Sequence, residues 1–472
     1  MEKRTKIIAT MGPASNDKKM VKDLIENGLN VMRINFSHAE FESTLEKINI
    51  LKELNDELGT YVAWLCDTKG PEIRLHQLKE KQVFLKKGTT INVYMHEVLG
   101  DELNISVTYS ELYDCVKVGG KILIDDGLIE LEVLSTSKEK IEAKVLNSGY
   151  ISSRKGVNVP NAILKMDYIS PKDYEDIKFA CLNDASYIAA SFARRKDDIL
   201  QLREICEKYN RPDMQIIAKI ENQEGVDNID EIINISDGIM VARGDLGTEV
   251  PMEEVPLIQK AICHKCNEVG KPVIIATHML DSMERNPRPT RAEVGDVSNA
   301  VSDGADAVML SGETAKGEYP VLAVESMARI VSRTESTIDH TKILKSFMGE
   351  VSSNPYDGIG MSAVELAAKI GAKGIFCFTE SGATARQISK YRPTCPIFAL
   401  SQYRSTLNSL ALNWGIIGRK KGAYTSIESK YDIVNDEALK VGLEDGDFVV
   451  ITGGHPDGTE VTNFLKILEV KA

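Results

Sequence analysis

In the stretch IIAKIENQEG, Lys219 and Glu221 put a cation and an anion two positions apart on an otherwise apolar run. Residues two apart on a strand leave the same face. Charge on a buried strand is costly unless it is paired or bound to a ligand. Polar residues close other apolar runs in the same way. Arg33, Asn35 and Ser37 lie around the end of VMRIN, Asp67 and Thr68 after YVAWLC, Arg243, Gly244 and Asp245 after GIMVA, and Thr277 after PVIIA. Glu221 and Asp245 are hard oxygen donors, suited to a Mg²⁺ ion that keeps several waters. Arg33 and Lys219 suit a phosphoryl group. Gly244 admits a ligand close to the backbone, and amides opening the DLG turn can hold a carboxylate. Asn35, Ser37, Asp67 and Thr68 offer oxygens with one formal negative charge, which fits a monovalent cation. Such a set neutralises charge while a phosphoryl group moves. Each residue alone also has a structural reading: Asp67 a turn, Thr277 a cap, Lys219 and Glu221 an internal ion pair. Convergence of all of them on one mouth favours chemistry.

Convergence needs a scaffold. The short apolar runs fall at 6–10, 31–35, 61–67, 187–192, 215–221, 238–245, 272–277 and 307–313, separated by helical-period segments such as NDKKMVKDLIENG. Strands buried on both faces and alternating with helices imply a parallel sheet. Eight such units predict an α/β fold, a (β/α)₈ TIM barrel with its active site at the C-terminal strand ends. After residue 70 the pattern changes to alternating strands and Gly turns, with no helix expected. The expected organisation is a barrel over 1–69 and 166–344, a small all-β lid domain inserted at 70–165, and a C-terminal α/β domain over 345–472.

The chain has 472 residues, 43% apolar and 27% charged, as in an ordinary soluble globular protein. Its formal net charge of −13 argues against a nucleic-acid partner. No apolar run is long enough to span a bilayer and no leader is expected, which predicts a cytoplasmic protein. Of the eight cysteines, only Cys263 and Cys266 are close together, and they lie in a helical-looking stretch with no second pair at metal-site spacing.

The segments MGPAS, MRINFSH, DTKGPEIR, KGVNVP, AKIENQEG, VARGDLG, ATHML, PRPTRAE and LSGETAKGEYP follow one another in this order, and the chain thereby resembles the pyruvate kinases. The likeness is strong over the barrel and insert and looser over the last domain. It implies transfer of the phosphoryl group of phosphoenolpyruvate to ADP, giving ATP and pyruvate. It further implies that Arg33 and Lys219 meet the phosphoryl group, and that Glu221 and Asp245 hold Mg²⁺ (or Mn²⁺). Asn35, Ser37, Asp67 and Thr68 would hold K⁺, and Gly244, Asp245 and Thr277 would bind the carboxylate and enolate region. Asn35, His38, Arg74 and Lys155 are implied on the nucleotide side, Lys155 coming from a lid that excludes water on closing. A homotetramer is implied as well.

The sequence departs from the family pattern in places. His278 follows Thr277 where Gln is usual; alternation along a strand turns it away from the site. Thr379, Ser381, Gly382 and Thr384 resemble a loop for a sugar-phosphate or nucleotide effector, but Glu380 adds negative charge and Ala383 lacks a basic or hydroxyl group. An ordinary helix cap explains Ser381 and Thr384 equally well. Thr290 and Glu293 in PRPTRAE form a capping box. The main rival reading is a Mg²⁺-dependent aldolase or lyase making a pyruvate enolate on the same barrel. A non-catalytic effector-binding protein on the same fold would have lost strand-end residues, and none is missing.

Overall fold

The computed structural model describes residues 3–348, 357–422, 427–454 and 462–472. All eight apolar runs become strands: β1 Lys6–Thr10, β2 Val31–Asn35, β3 Ala63–Asp67, β4 Tyr187–Ala190, β5 Gln215–Ile220, β6 Gly238–Ala242, β7 Val273–Ala276 and β8 Ala307–Leu310. They are parallel and close in the order β1-β8-β7-β6-β5-β4-β3-β2. The two faces of each strand serve two cores. Ile8, Val31, Leu65, Ala189, Ile217, Met240, Ile274 and Met309 fill the barrel. Ile7, Met32, Cys66, Ile188, Ile216 and Val241 pack outward under the helices. Several strands are shorter than their apolar runs. Arg243 opens a helix, Arg243–Glu249, so Asp245 sits in a helical first turn rather than on a strand.

The far end of the barrel is closed by a residue from the last domain. Leu412 joins the interior cluster. Tyr187, the first residue of β4, accepts a hydrogen bond from the Leu412 amide (3.1 Å) and donates to the Asn408 carbonyl (3.2 Å). Beside it, Arg392 pairs with the buried Asp306 at 2.8 Å.

Between β3 and β4 the chain leaves the barrel through a tight turn. The amides of Lys69 and Gly70 both donate to Asp173 Oδ1 at 3.1 Å. Gly70 has φ 70°, and a β-carbon there would stand 2.7 Å from the Ser191 carbonyl oxygen, so only glycine fits. A seven-stranded sheet follows, running in order from Ile73–Arg74 through Gly156–Asn158, Lys121–Ile124, Ile129–Thr136, Lys140–Val145 and Thr90–Tyr94 to Asn104–Ser106, over its own apolar core. One helical turn, Leu112–Cys115, interrupts a segment expected to have none.

The last domain is a five-stranded sheet ordered Ile416–Lys420, Ile397–Ser401, Ile375–Phe378, Phe448–Gly453 and Phe464–Glu469, the final strand antiparallel. Its helix Ile427–Lys440 did not stand out in the sequence. Among the described residues, no helix is long and apolar enough to cross a membrane.

Candidate active site

The inward positions explain the charges of IIAKIENQEG. One step beyond the apolar layer of Ile8, Val31, Leu65, Ala189 and Ile217, the same faces carry Thr10, Arg33, Asp67, Ser191 and Lys219. A polar layer therefore lies on an apolar one at the C-terminal mouth. Lys219, 8% exposed, points its ammonium at three oxygens: Asp67 Oδ1 (3.0 Å), Glu221 Oε1 (3.0 Å) and Ser191 Oγ (2.7 Å). Arg33 donates from Nε to Asp67 Oδ2 (2.6 Å) and from Nη1 to Thr10 Oγ1 (2.8 Å). Asp67 thus joins the two cations.

Charge in this layer is held by mutual pairing. Burial works against the Lys219 ammonium, but Asp67 and Glu221 outweigh it and raise its pKa well above the usual lysine range. Burial likewise works against Asp67, yet Arg33 and Lys219 keep its carboxyl below the usual range. Glu221 is pushed up to about 7, by burial first and then by Asp245, against the pull of Lys219 and the Phe192 amide at 2.6 Å. Asp245 is also raised, by burial and then by Asp126 and Glu72, against Lys219. Among the described residues its carboxylate takes no hydrogen bond. Two neighbouring carboxylates short of positive charge are the donor set for a divalent cation. No cluster of three His, Cys, Asp or Glu is placed to hold a metal among the described residues.

On the opposite side, Thr277 and His278 both adopt left-handed backbone, with φ 69° and 54°. Thr277 Oγ1 accepts from the Gly244 amide at 2.7 Å. A β-carbon at Gly244 would stand 3.4 Å from that oxygen and 3.7 Å from His278 Cε1, ordinary contact distances, so the approach of the two segments does not itself demand glycine. His278 is exposed beside the site. The expectation that it packs away is corrected: β7 ends at Ala276, and strand alternation does not extend into a left-handed pair.

The barrel-domain description of pyruvate kinase matches residues 2–324, and its alpha/beta-domain description matches residues 357–468. The chain belongs to the pyruvate kinase family. Its relatives are phosphotransferases named pyruvate kinase, and the chain is a phosphotransferase of that kind. It is 47% identical to the pyruvate kinase of Bacillus licheniformis and 48% to that of Geobacillus stearothermophilus, in each case over 99% of this chain and 80% of the relative. It is 44% identical to the pyruvate kinase of Clostridium perfringens over 99% of this chain and the whole of the relative.

Two cavities flank the mouth where insert meets barrel. One of about 440 Å³ is lined by Glu72, Asp126, Asn158, Phe192, Asp245 and Glu249 among others. The other, about 500 Å³, gathers Ser37, His38, Lys69, Arg74, Arg154 and Lys172. His38 and Arg74 thus meet in one basic pocket. Lys155 is not among its lining residues; its ammonium pairs with Asp125 of the insert at 2.8 Å. Arg74 is itself tied to Glu72 (2.7 Å) and to the Arg154 carbonyl (2.8 Å). Asn35 and Asp67 are register partners on β2 and β3, Asn35 Oδ1 accepts from the Ser37 amide (3.1 Å), and Thr68 Oγ1 donates to the Ala189 carbonyl (3.2 Å).

In the last domain, Thr379 Oγ1 accepts from the Gly382 amide (2.9 Å), and Gly382, at φ 89°, is the N-cap of helix Ala383–Lys390. Ser381 Oγ is 3.5 Å from the Ala383 amide. Thr384 turns inward to Thr462 Oγ1 at 2.7 Å, away from the loop surface. The Thr290–Glu293 capping box is formed. Cys263 and Cys266 are buried in helix Val255–Val269, where burial pushes both thiols up.

Sequence reading passed over two members of the polar layer, Thr10 and Ser191. Both lay within reach of the period-two rule: Thr10 follows Ile8, and Ser191 follows Ala189.

Proposed function

We propose that the chain transfers the phosphoryl group of phosphoenolpyruvate to ADP, with the strand-end residues in the roles their chemistry suggests. The observation that carries this reading is Lys219, a buried ammonium held among Asp67, Glu221 and Ser191 at the barrel mouth. Lys219 and Arg33 meet the moving phosphoryl group and steady its spread charge. Gly244, Asp245 and Thr277 bind the carboxylate and enolate end, and the Thr277 side carries protonation of the enolate. His38 and Arg74 receive the nucleotide phosphates in the basic pocket, and Asn35, which accepts from the amide of the pocket-lining Ser37, serves the same nucleotide. Lys155 joins them once the insert closes and its pairing with Asp125 is exchanged for phosphate.

Glu221 and Asp245 are the residues that would hold Mg²⁺ or Mn²⁺, which neutralises substrate and nucleotide oxygens. The unpartnered Asp245 carboxylate supports this fit. Asn35, Ser37, Asp67 and Thr68 would hold K⁺; Asp67 is already saturated by two cations, which favours a monovalent ion there over a second divalent one. A sugar phosphate or nucleotide is proposed as effector at Thr379, Ser381 and Gly382, with Thr384 behind them. We also propose a cytoplasmic homotetramer; exposed Met252 and Leu257 on adjoining segments of the barrel exterior support an apolar contact.

The test is ATP formation from ADP and phosphoenolpyruvate, with and without Mg²⁺ and K⁺. ATP formation dependent on both ions is expected. No ATP, with consumption of pyruvate on addition of an aldehyde, would make the chain a lyase.

A further inference from the structure

Thr277 and His278 hold left-handed backbone without glycine, and Thr277 is β-branched, the type of residue that resists this conformation most. Something must hold the segment. Arg243 does so by contact with nearly every donor it has. Its Nη2 donates to the Thr277 carbonyl (2.8 Å) and its Nε to the Ala276 carbonyl (3.4 Å), bracketing the point where β7 ends. The other side of the guanidinium is gripped by Asp296, with Nη1–Oδ1 and Nη2–Oδ2 both at 2.7 Å, and Nη1 also reaches Gln259 Oε1 at 3.4 Å. Bidentate pairing fixes the plane of an arginine as well as its position. Asp296 is placed by helix Arg291–Ser302, which the Thr290–Glu293 box opens. Glu293 also accepts from the Ser282 amide (2.7 Å) and hydroxyl (2.6 Å), tying down the loop that follows Thr277.

We propose that Arg243, oriented by Asp296, is a positioning residue for Thr277: it holds the left-handed segment so that Thr277 Oγ1 meets the Gly244 amide at the enolate end of the site. Arg243 lines neither mouth cavity; its guanidinium is engaged by Gln259 and Asp296 of the outer helices. PRPTRAE then serves the chemistry through Asp296 and Glu293. The inference rests on the reading of Thr277 as the enolate-side residue.

The experiment is a double-mutant cycle on the full chain with Thr277→Ala, Arg243→Met and the double variant. It reads phosphoryl transfer and, separately, exchange of pyruvate methyl protons with solvent deuterium. Arg243→Met is expected to lower proton exchange by about ten- to a hundredfold, the scale of a small misplacement at a reacting centre, and to lower it more than substrate affinity. The double variant should be no slower in exchange than Thr277→Ala alone. Arg243→Lys should recover part of the loss, and Asp296→Asn, which leaves the barrel strands untouched, should repeat the pattern more mildly. Exchange that survives intact in Arg243→Met and Asp296→Asn, or a double variant slowed by the product of the two singles, would overturn the proposal. Undiminished exchange in Thr277→Ala would instead remove the enolate reading of Thr277, and the positioning role with it.

Discussion

Replacing Lys219 by methionine keeps the length of the side chain and removes its charge. Two consequences follow from the contacts at the mouth. The first is on folding. Breaking a buried pair costs about 3–5 kcal/mol when the surviving charge is stranded. Here neither survivor is stranded: Asp67 keeps Arg33 at 2.6 Å and Ser191 at 3.1 Å, and Glu221 keeps the Phe192 amide at 2.6 Å. The cost should therefore fall to about 1–3 kcal/mol, the range for a weakened buried polar group, and the variant should fold. The second consequence is on rate. Losing one preorganised donor costs about 10²–10³ in kcat, or ~2.7–4 kcal/mol. In the roles proposed, Lys219 serves the phosphoryl group and Thr277 the enolate, so the two half-reactions should separate. Lys219→Met should lose at least about a hundredfold in kcat for ATP formation, with a smaller change in the KM for phosphoenolpyruvate. Exchange of pyruvate methyl protons, followed by proton resonance in deuterated buffer, should survive in part. A kcat near that of the unmodified protein would mean that Lys219 serves only as the counter-charge of Asp67 and Glu221.

Three other outcomes are expected. Glu72 follows the proposed K⁺ residues Asp67 and Thr68 closely in DTKGPEIR, and Glu72→Lys should lessen the need for K⁺ by supplying a fixed charge, but it also frees Arg74 from its 2.7 Å pairing; Glu72→Gln frees Arg74 without the charge, so only the lysine variant should retain activity in tetramethylammonium buffer, and full activity of the unmodified protein there would refute the idea. A phosphorylated sugar or nucleotide titrated at subsaturating phosphoenolpyruvate should shift apparent affinity through a coupling of about 1–3 kcal/mol, and Ser381→Asp should abolish the shift; a flat response to every candidate leaves Thr379–Thr384 a helix cap. Burial, together with Arg4 and Arg392, lowers the pKa of His340, which packs beside Trp414. Its neutral form is then favoured on folding, so its contribution to stability is complete above the unfolded value of about 6.5 and is lost as pH falls through the lower folded value. His340→Gln should flatten the acid limb of a plot of Tm against pH, and an unchanged slope would show that other groups set it.

The barrel was legible because its strands are buried on both faces, which leaves unbroken apolar runs such as KIIAT and QIIAKI. The polar layer was legible in part, since charge at the end of such a run is conspicuous. Thr10 and Ser191 were less so, because a hydroxyl is ordinary in a strand and only its register beside Ile8 or Ala189 marks it. Lys155 was placed with the nucleotide by its segment, but the side chain is engaged with Asp125, a contact that sequence spacing does not encode. Asp245 read as a strand residue because GIMVARGD shows no break before its helix. The helix Ile427–Lys440 escaped for a different reason. Its buried side includes Lys430 and Glu437 beside Val434 and Ala438, so charges stand where an apolar stripe would show. Lys430 reaches the Gly454 carbonyl at 2.9 Å and lies over Phe378 and Phe464, while Glu437 pairs with Lys421. These partners come from distant parts of the chain. Arg243 was visible as a residue, yet its task depends on Asp296, 53 positions away.

Leu412 and Tyr187 make the barrel dependent on a segment more than two hundred positions downstream of its fourth strand. A cylinder whose floor is supplied from elsewhere is not a separable module. Excising residues 3–348 would expose Ile8, Leu65, Ile217 and Met309 from below and strand the Tyr187 hydroxyl and Asp306 without the Leu412 amide and Arg392. Calorimetry of the intact chain should then record the barrel and the last domain melting as one cooperative event, with the inserted sheet, built on its own core, the segment able to melt apart. Any grafting of a new terminal domain onto this barrel must carry Leu412 with it.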